Sequence, residues 1–176
     1  MQSFLFLFTA LLLFSAPVFS QIDTASQEMV SMSGTSGKMW QGKYTYFKNG
    51  DDEPFTGVLY AQFANGNFES IQEFRDGIGN GTWVNYHENG SLKEVGTYVD
   101  NRVEGPIKKY YPSGKLQAEG QYRSWRIRVG EWTYFDENGQ VVKTENYGQQ
   151  GDFRDVEDFY RRGEISKAWY EEVMGR

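Results

Sequence analysis

The sequence predicts a mainly β fold: an elongated antiparallel sheet of stacked β-hairpin repeats, closed by a short C-terminal helical segment. Three observations lead there. Segments of about 24 residues begin at Gly57, Gly81, Gly105 and Gly130, and self-similarity at such a period marks a repeat architecture. Each segment carries a turn at the same offset, namely Asn65-Gly66, Asn89-Gly90, Ser113-Gly114 and Asn138-Gly139. The runs flanking those turns are rich in aromatic and β-branched residues, so each segment reads as a hairpin.

Residues 1–20 come first in the chain and read as a secretory signal peptide. Phe4 to Phe14 is almost purely apolar, and Ala16, Val18 and Ser20 supply small residues before a cleavage point near Ser20-Gln21. Phe4 to Phe19 falls short of the roughly 20 apolar residues of a spanning helix. The expected destination is the periplasm or the medium. Residues 21–38, rich in Ser, Thr, Gln and Gly without periodicity, read as a disordered polar spacer. The chain has no cysteine, which removes disulfides, thiol chemistry and cysteine-held metals. Stability must come from packing, and the abundant aromatic side chains supply the apolar area.

The repeat region is expected over 39–148, with units near 42–56, 57–80, 81–104, 105–129 and 130–148. A two-residue Asn89-Gly90 loop, with both residues at positive φ, sets Glu88 against Ser91, His87 against Leu92, Asn85 against Glu94 and Trp83 against Gly96. The same count in the third unit sets Ile107 against Gly120, Lys108 against Glu119 and Tyr111 against Leu116. A large side chain thus lies over a cross-strand glycine. Alternation puts Trp83, His87, Leu92 and Tyr98 on one face, with Val84 and Tyr86 on the other. In the fourth unit Trp132, Tyr134, Val141 and Tyr147 share a face, with Phe135 opposite. Residues 149–176 read as a helical cap. Asp155 to Tyr160 and Ile165 to Met174 are the helices, Gly163 the break and Ser166 a cap for the second. This tail is expected on the terminal hairpin or on a sheet face.

The residues resemble a known family. Gly81-x-Trp83-x-x-Tyr86-x-x-Asn89-Gly90-x-Leu92, followed by Gly96-x-Tyr98, is similar to the MORN-variant repeat of bacterial proteins. The pattern recurs at Tyr110, Gly114, Gly120 and Tyr122, and again at Trp132, Phe135, Asn138-Gly139 and Tyr147. Glu53-Pro54-Phe55-Thr56-Gly57 resembles the segment that opens the repeats of the YwqK family, whose members carry an antitoxin label. The resemblance spans about residues 40–148. It implies a non-catalytic binding scaffold. If the binding is antitoxin-like, the signal peptide puts the target outside the cytoplasm.

Catalytic and metal roles find little footing. His87, the one histidine, stands where Phe47, Phe63 and Tyr111 stand in other units, so it reads as a substituted aromatic. Asp51-Asp52-Glu53 lacks the alternating ligand spacing of a calcium loop and reads as a solvated acidic turn. Gly77 to Gly81 leads into a strand rather than a helix, which excludes a phosphate loop. No cofactor is expected. The net charge of −6 excludes nucleic acid as a natural partner. Charge is uneven, however: residues 105–129 hold six cations against Glu119 alone. Lys108, Lys109, Arg123, Trp125, Arg126 and Arg128 are therefore the candidate partner-binding residues, since Trp and Arg dominate interface hot spots. A protein partner is expected first. A cell-wall glycan, held on aromatic rings, and an anionic lipid are the other candidates.

Overall fold

A computed structural model describes residues 22–124, 126–163 and 165–174. The signal-peptide reading of residues 1–20 and the candidate Trp125 lie outside the described residues. The strands are β1 (Met29–Ser31), β2 (Thr35–Trp40), β3 (Lys43–Lys48), β4 (Gly57–Gln62), β5 (Phe68–Arg75), β6 (Ile78–Tyr86), β7 (Leu92–Val99), β8 (Arg102–Tyr110), β9 (Leu116–Arg123), β10 (Ile127–Phe135) and β11 (Val141–Asn146). Two helices follow, α1 (Phe153–Arg161) and α2 (Lys167–Met174). Nine strands form one sheet in the order β1-β4-β5-β6-β7-β8-β9-β10-β11, and β2 pairs with β3 separately. Sequential neighbours pair antiparallel, as hairpin repeats require, while β1 joins β4 in parallel.

The register follows the expected count up to the last pair before each turn. Trp83 faces Gly96, Asn85 faces Glu94, Ile107 faces Gly120 and Lys108 faces Glu119. Nearer the turn the pairing shifts by one, so that Tyr86 rather than His87 faces Leu92, and Tyr110 rather than Tyr111 faces Leu116. The turn itself explains the shift. The N–H of Gly90 donates to His87 O and that of His87 to Ser91 O, and Gly90 has φ 83° while Asn89 is not among the positive-φ residues. That is a three-residue loop with a bulge at glycine, not the two-residue loop expected. Turns with both central residues at positive φ occur instead at the other end of the strands: Asp76-Gly77 (50°, 75°) and Asp100-Asn101 (52°, 64°).

The N-terminal region differs from expectation. Residues 29–31 and 35–40, mostly within the stretch read as disordered spacer, are β1 and β2. The partial unit at 42–56 does not join the main sheet: its strand β3 pairs with β2. The resulting hairpin runs along the row of tight turns. The Tyr46 N–H donates to Gly77 O at 2.8 Å and the Asn101 amide to Tyr44 O at 2.9 Å. β2 carries almost no periodic apolar signal, being mostly exposed, and its order comes from the backbone ladder to β3. Val30 and Met32 pack on Phe55, Leu59 and Phe74, a contact distant in sequence.

The C-terminal helices form as expected, with shifted ends. Asp152 caps α1, accepting from Arg154 N, and the Ser166 hydroxyl accepts from Trp169 N. Val156, Ile165 and Tyr170 bury themselves on Ile127 at the start of β10, and the Tyr160 and Tyr170 rings stack 4.2 Å apart. The tail therefore covers a face of the sheet near β10, while four consecutive residues of the terminal strand β11, Val141 to Thr144, remain exposed.

Candidate binding groove

The sheet presents one aromatic face. Trp83 and Trp132 are each 1% exposed and lie with Ile107 in the same cluster as Tyr122, with Tyr98, Tyr134 and Tyr147 packed against it. Glycine makes room for the indoles. A Cβ on Gly120 would stand 2.3 Å from Trp132 Cδ2, and one on Gly96 2.8 Å from the Trp83 ring. The Trp132 N–H donates to Gln121 O at 3.1 Å, whereas the buried Trp83 N–H has no acceptor among the described residues.

Cations are laid among these rings. The Arg126 guanidinium sits 5.0 Å over the Trp83 ring, the Lys109 ammonium 5.5 Å over Tyr122, and the Arg128 guanidinium 4.5 Å over Tyr147. Desolvated contacts of this kind are stronger than exposed ones. A cross-strand row positions them: Asn85, Glu94, Lys109, Ala118, Tyr134 and Lys143 face one another in turn from β6 to β11. Glu94, 5% exposed, accepts from Arg126 Nη1 at 2.9 Å and lies 3.5 Å from Lys109 Nζ. Burial disfavours the Lys109 ammonium, but Tyr122 and Glu94 beside it carry its pKa above the ordinary lysine value.

Arg128 fixes the helical tail. Its guanidinium donates to Asp155 Oδ1 at 2.7 Å, Asp152 Oδ2 at 3.0 Å and the Tyr147 hydroxyl at 2.7 Å. Bonds to Asp155 hold it protonated against the cost of burial. Burial, then the bonds to Tyr134 and Glu145, push the Tyr147 hydroxyl well above the ordinary tyrosine pKa. Glu145 is held down to about 2, first by Lys143 at 2.6 Å and then by the Tyr147 hydroxyl. Asp152 is also lowered: burial opposes its charge, and the bonds from Arg154 and the nearby Arg128 outweigh that.

The candidate residues therefore separate. Lys109, Arg126 and Arg128 come together on the aromatic face. Lys108 projects from the opposite face, 3.5 Å from Glu119. Arg123 is exposed at the end of β9, opposite Ile127, and makes no ion pair among the described residues. The three cations on the aromatic face are paired with acids of other segments, Glu94, Asp152 and Asp155. Sequence reading missed those three. Glu94 was within reach, because its register opposite Asn85 already placed it inward. The partners Asp152 and Asp155 became visible only with the helix docked.

Between the sheet and α1, Lys109, Arg126, Arg128 and Asp155 help line a groove of about 760 Å³. Its floor is Tyr122, Trp132 and Tyr134, with Phe159 and Asp158 of α1 on one wall and Gln117 on the rim. Tyr122 and Tyr134 stand 5.0 and 6.1 Å from Trp132. Among the described residues no group of three His, Asp or Glu side chains is placed to hold a metal ion. The His87 Nε2 lies 2.9 Å from Tyr110 O, the same bond that the Tyr111 hydroxyl makes one repeat later to Phe135 O at 2.8 Å.

Three segments match the family described as MORN repeat variant, at residues 80–100, 103–124 and 128–148. They coincide with the second, third and fourth hairpins, of which the third and fourth line the groove. No curated protein and no solved structure matches the chain.

Proposed function

We propose that the protein is an exported, non-catalytic repeat scaffold that binds another protein along its aromatic face. The observation that carries this reading is the groove between the sheet and α1. Its lining includes the partly exposed Tyr134, Tyr147, Arg126 and Arg128 over the buried Trp132, and Tyr and Arg are residues that dominate interface hot spots, here held rigid by ion pairs and cross-strand packing. Because Glu94, Asp152 and Asp155 balance the cations, shape and aromatic contact set the affinity rather than net charge. The MORN repeat match agrees with a scaffold role. The YwqK resemblance gives the partner a more specific identity, a toxin, which export would place outside the cytoplasm.

A glycan is a second occupant, favoured by one observation: the partly exposed rings of Tyr111, Tyr134, Phe135 and Tyr147 line the groove above the buried Tyr122 and Trp132. Affinity capture from the exported fraction separates the two readings. Recovery of a protein partner supports the first. If no protein is recovered and cell-wall fragments shift the tryptophan fluorescence, the glycan reading replaces it. Anionic vesicles that bind independently of salt, or not at all, remove the lipid alternative.

A further inference from the structure

The nine-stranded sheet has two edges, and they differ. At one edge β1 is three residues long and paired in parallel. At the other, β11 is six residues long, contains no proline, and exposes Val141 at 58% and Val142 at 62%. An open edge of that length is a template for another strand. The helices leave it free, because they bury themselves on Ile127 rather than along β11.

The sequence of β11 selects its own complement. A twofold axis normal to the sheet keeps the two aromatic faces continuous, so directly opposed residues must share a face, and only registers pairing residues of equal parity qualify. Centred on Lys143 the pairing opposes lysine to lysine; centred on Glu145 it opposes glutamate to glutamate. Like charges directly opposite are destabilising. Centred on Thr144, each Lys143 faces the other copy's Glu145, and Val142 faces Asn146. Lys143 and Glu145 already attract within one strand at 2.6 Å. In the pair they become a ring of four alternating charges about the axis.

We propose that β11 is a self-association edge, pairing antiparallel with β11 of a second copy in the register centred on Thr144 to give one continuous sheet. This edge adjoins the groove, whose lining includes Val142 and Lys143. Five paired residues bury far less than the roughly 1,200 Å² of a stable interface, so the dimer is weak and concentration-dependent.

Sedimentation equilibrium on the purified protein up to hundreds of micromolar tests this. A monomer–dimer equilibrium is expected. K143E, which sets glutamate against glutamate, weakens it roughly tenfold, and the double variant K143E/E145K restores it by reversing both charges. Thr144→Arg, at the axis, also dissociates the dimer while touching neither charged residue. Circular dichroism establishes that each variant is folded, and the wild-type titration stands without them. A protein that stays monomeric throughout overturns the proposal. So does a dimer that K143E and Thr144→Arg leave intact, or a folded double variant that remains monomeric.

Discussion

At the scale of single residues, the fold turns on close approach. Gly120 admits the Trp132 indole, and a methyl group there would sit 2.3 Å from the ring. Gly120→Ala should lower stability by about 1–3 kcal/mol in denaturant unfolding, the usual cost of overpacking. His87 acts through its hydrogen bond to Tyr110 O. His87→Phe should therefore lose about 1 kcal/mol, while His87→Tyr should stay near wild type, since Tyr111 makes the same bond from the equivalent position. An equal loss in both variants would show that ring packing, not the hydrogen bond, sets the residue's role. Trp83 over Gly96 was legible in the sequence because spacing from the turn fixes it; Trp132 over Gly120 was not, because that ring comes from the next repeat. The hydrogen bond of His87 was not, because it spans to the next repeat.

At the scale of elements, each turn joins the one after it. The Asn65 amide donates to Glu88 O at 2.9 Å, the Asn89 amide to Pro112 O at 3.0 Å and the Ser113 hydroxyl to Glu137 Oε2 at 2.9 Å. The existence and position of the turns were legible; their type was not. An Asn-Gly pair suits a two-residue loop and a type I turn with a glycine bulge alike, and the stacked side-chain bonds accompany the second. Strands β1 and β2 escaped because their order is borrowed from β4 and β3, not written in their own periodicity. The helices, and a place for them on the terminal hairpin or a sheet face, were legible from capping and spacing, but the ion pairs that dock them were not. Arg128→Ala should remove the anchor, leaving Asp155 without its guanidinium partner and Asp152 held by Arg154 alone. Allowing for partial exposure, the loss should be about 2–4 kcal/mol, with faster hydrogen exchange in α1 and α2 than in the sheet. Acid acts on the same junction. Glu145 has its folded pKa lowered to about 2, so its contribution is complete above about pH 4.5 and is lost as pH falls toward about 2; Asp152 is lowered too, so its contribution is lost in the same direction. Near-UV circular dichroism should report loosening of the tail across that window. A flat titration there would contradict the assignment.

At the scale of the whole molecule, hairpins stacked side by side share cross-repeat contacts, so stability is roughly a sum of neighbour interfaces. The covers at the two ends divide the aromatic face: the β2–β3 hairpin lies along the tight turns, and α1 walls the groove. The basic third repeat stood out in the sequence as a docking surface for an anionic partner. Three of its cations, Lys109, Arg126 and Arg128, prove to be paired with Glu94, Asp152 and Asp155. What remained legible was the place, because Lys109, Arg126 and Arg128 do lie at the groove. What was not legible was the chemistry, since ion pairing across repeats depends on register and on helix docking together.

The proposed partner is held in this groove and not on the opposite face. Gln117 is exposed on its rim, so Gln117→Trp fills the groove without entering the core. Lys108→Ala alters the opposite face alone. The direct measurement is quantitative binding of the captured protein to wild type and to each variant by isothermal calorimetry. Gln117→Trp should weaken binding at least about tenfold, the scale of one interface hot spot, and Lys108→Ala should leave it unchanged. Unimpaired binding by Gln117→Trp, with loss in Lys108→Ala, would contradict the account.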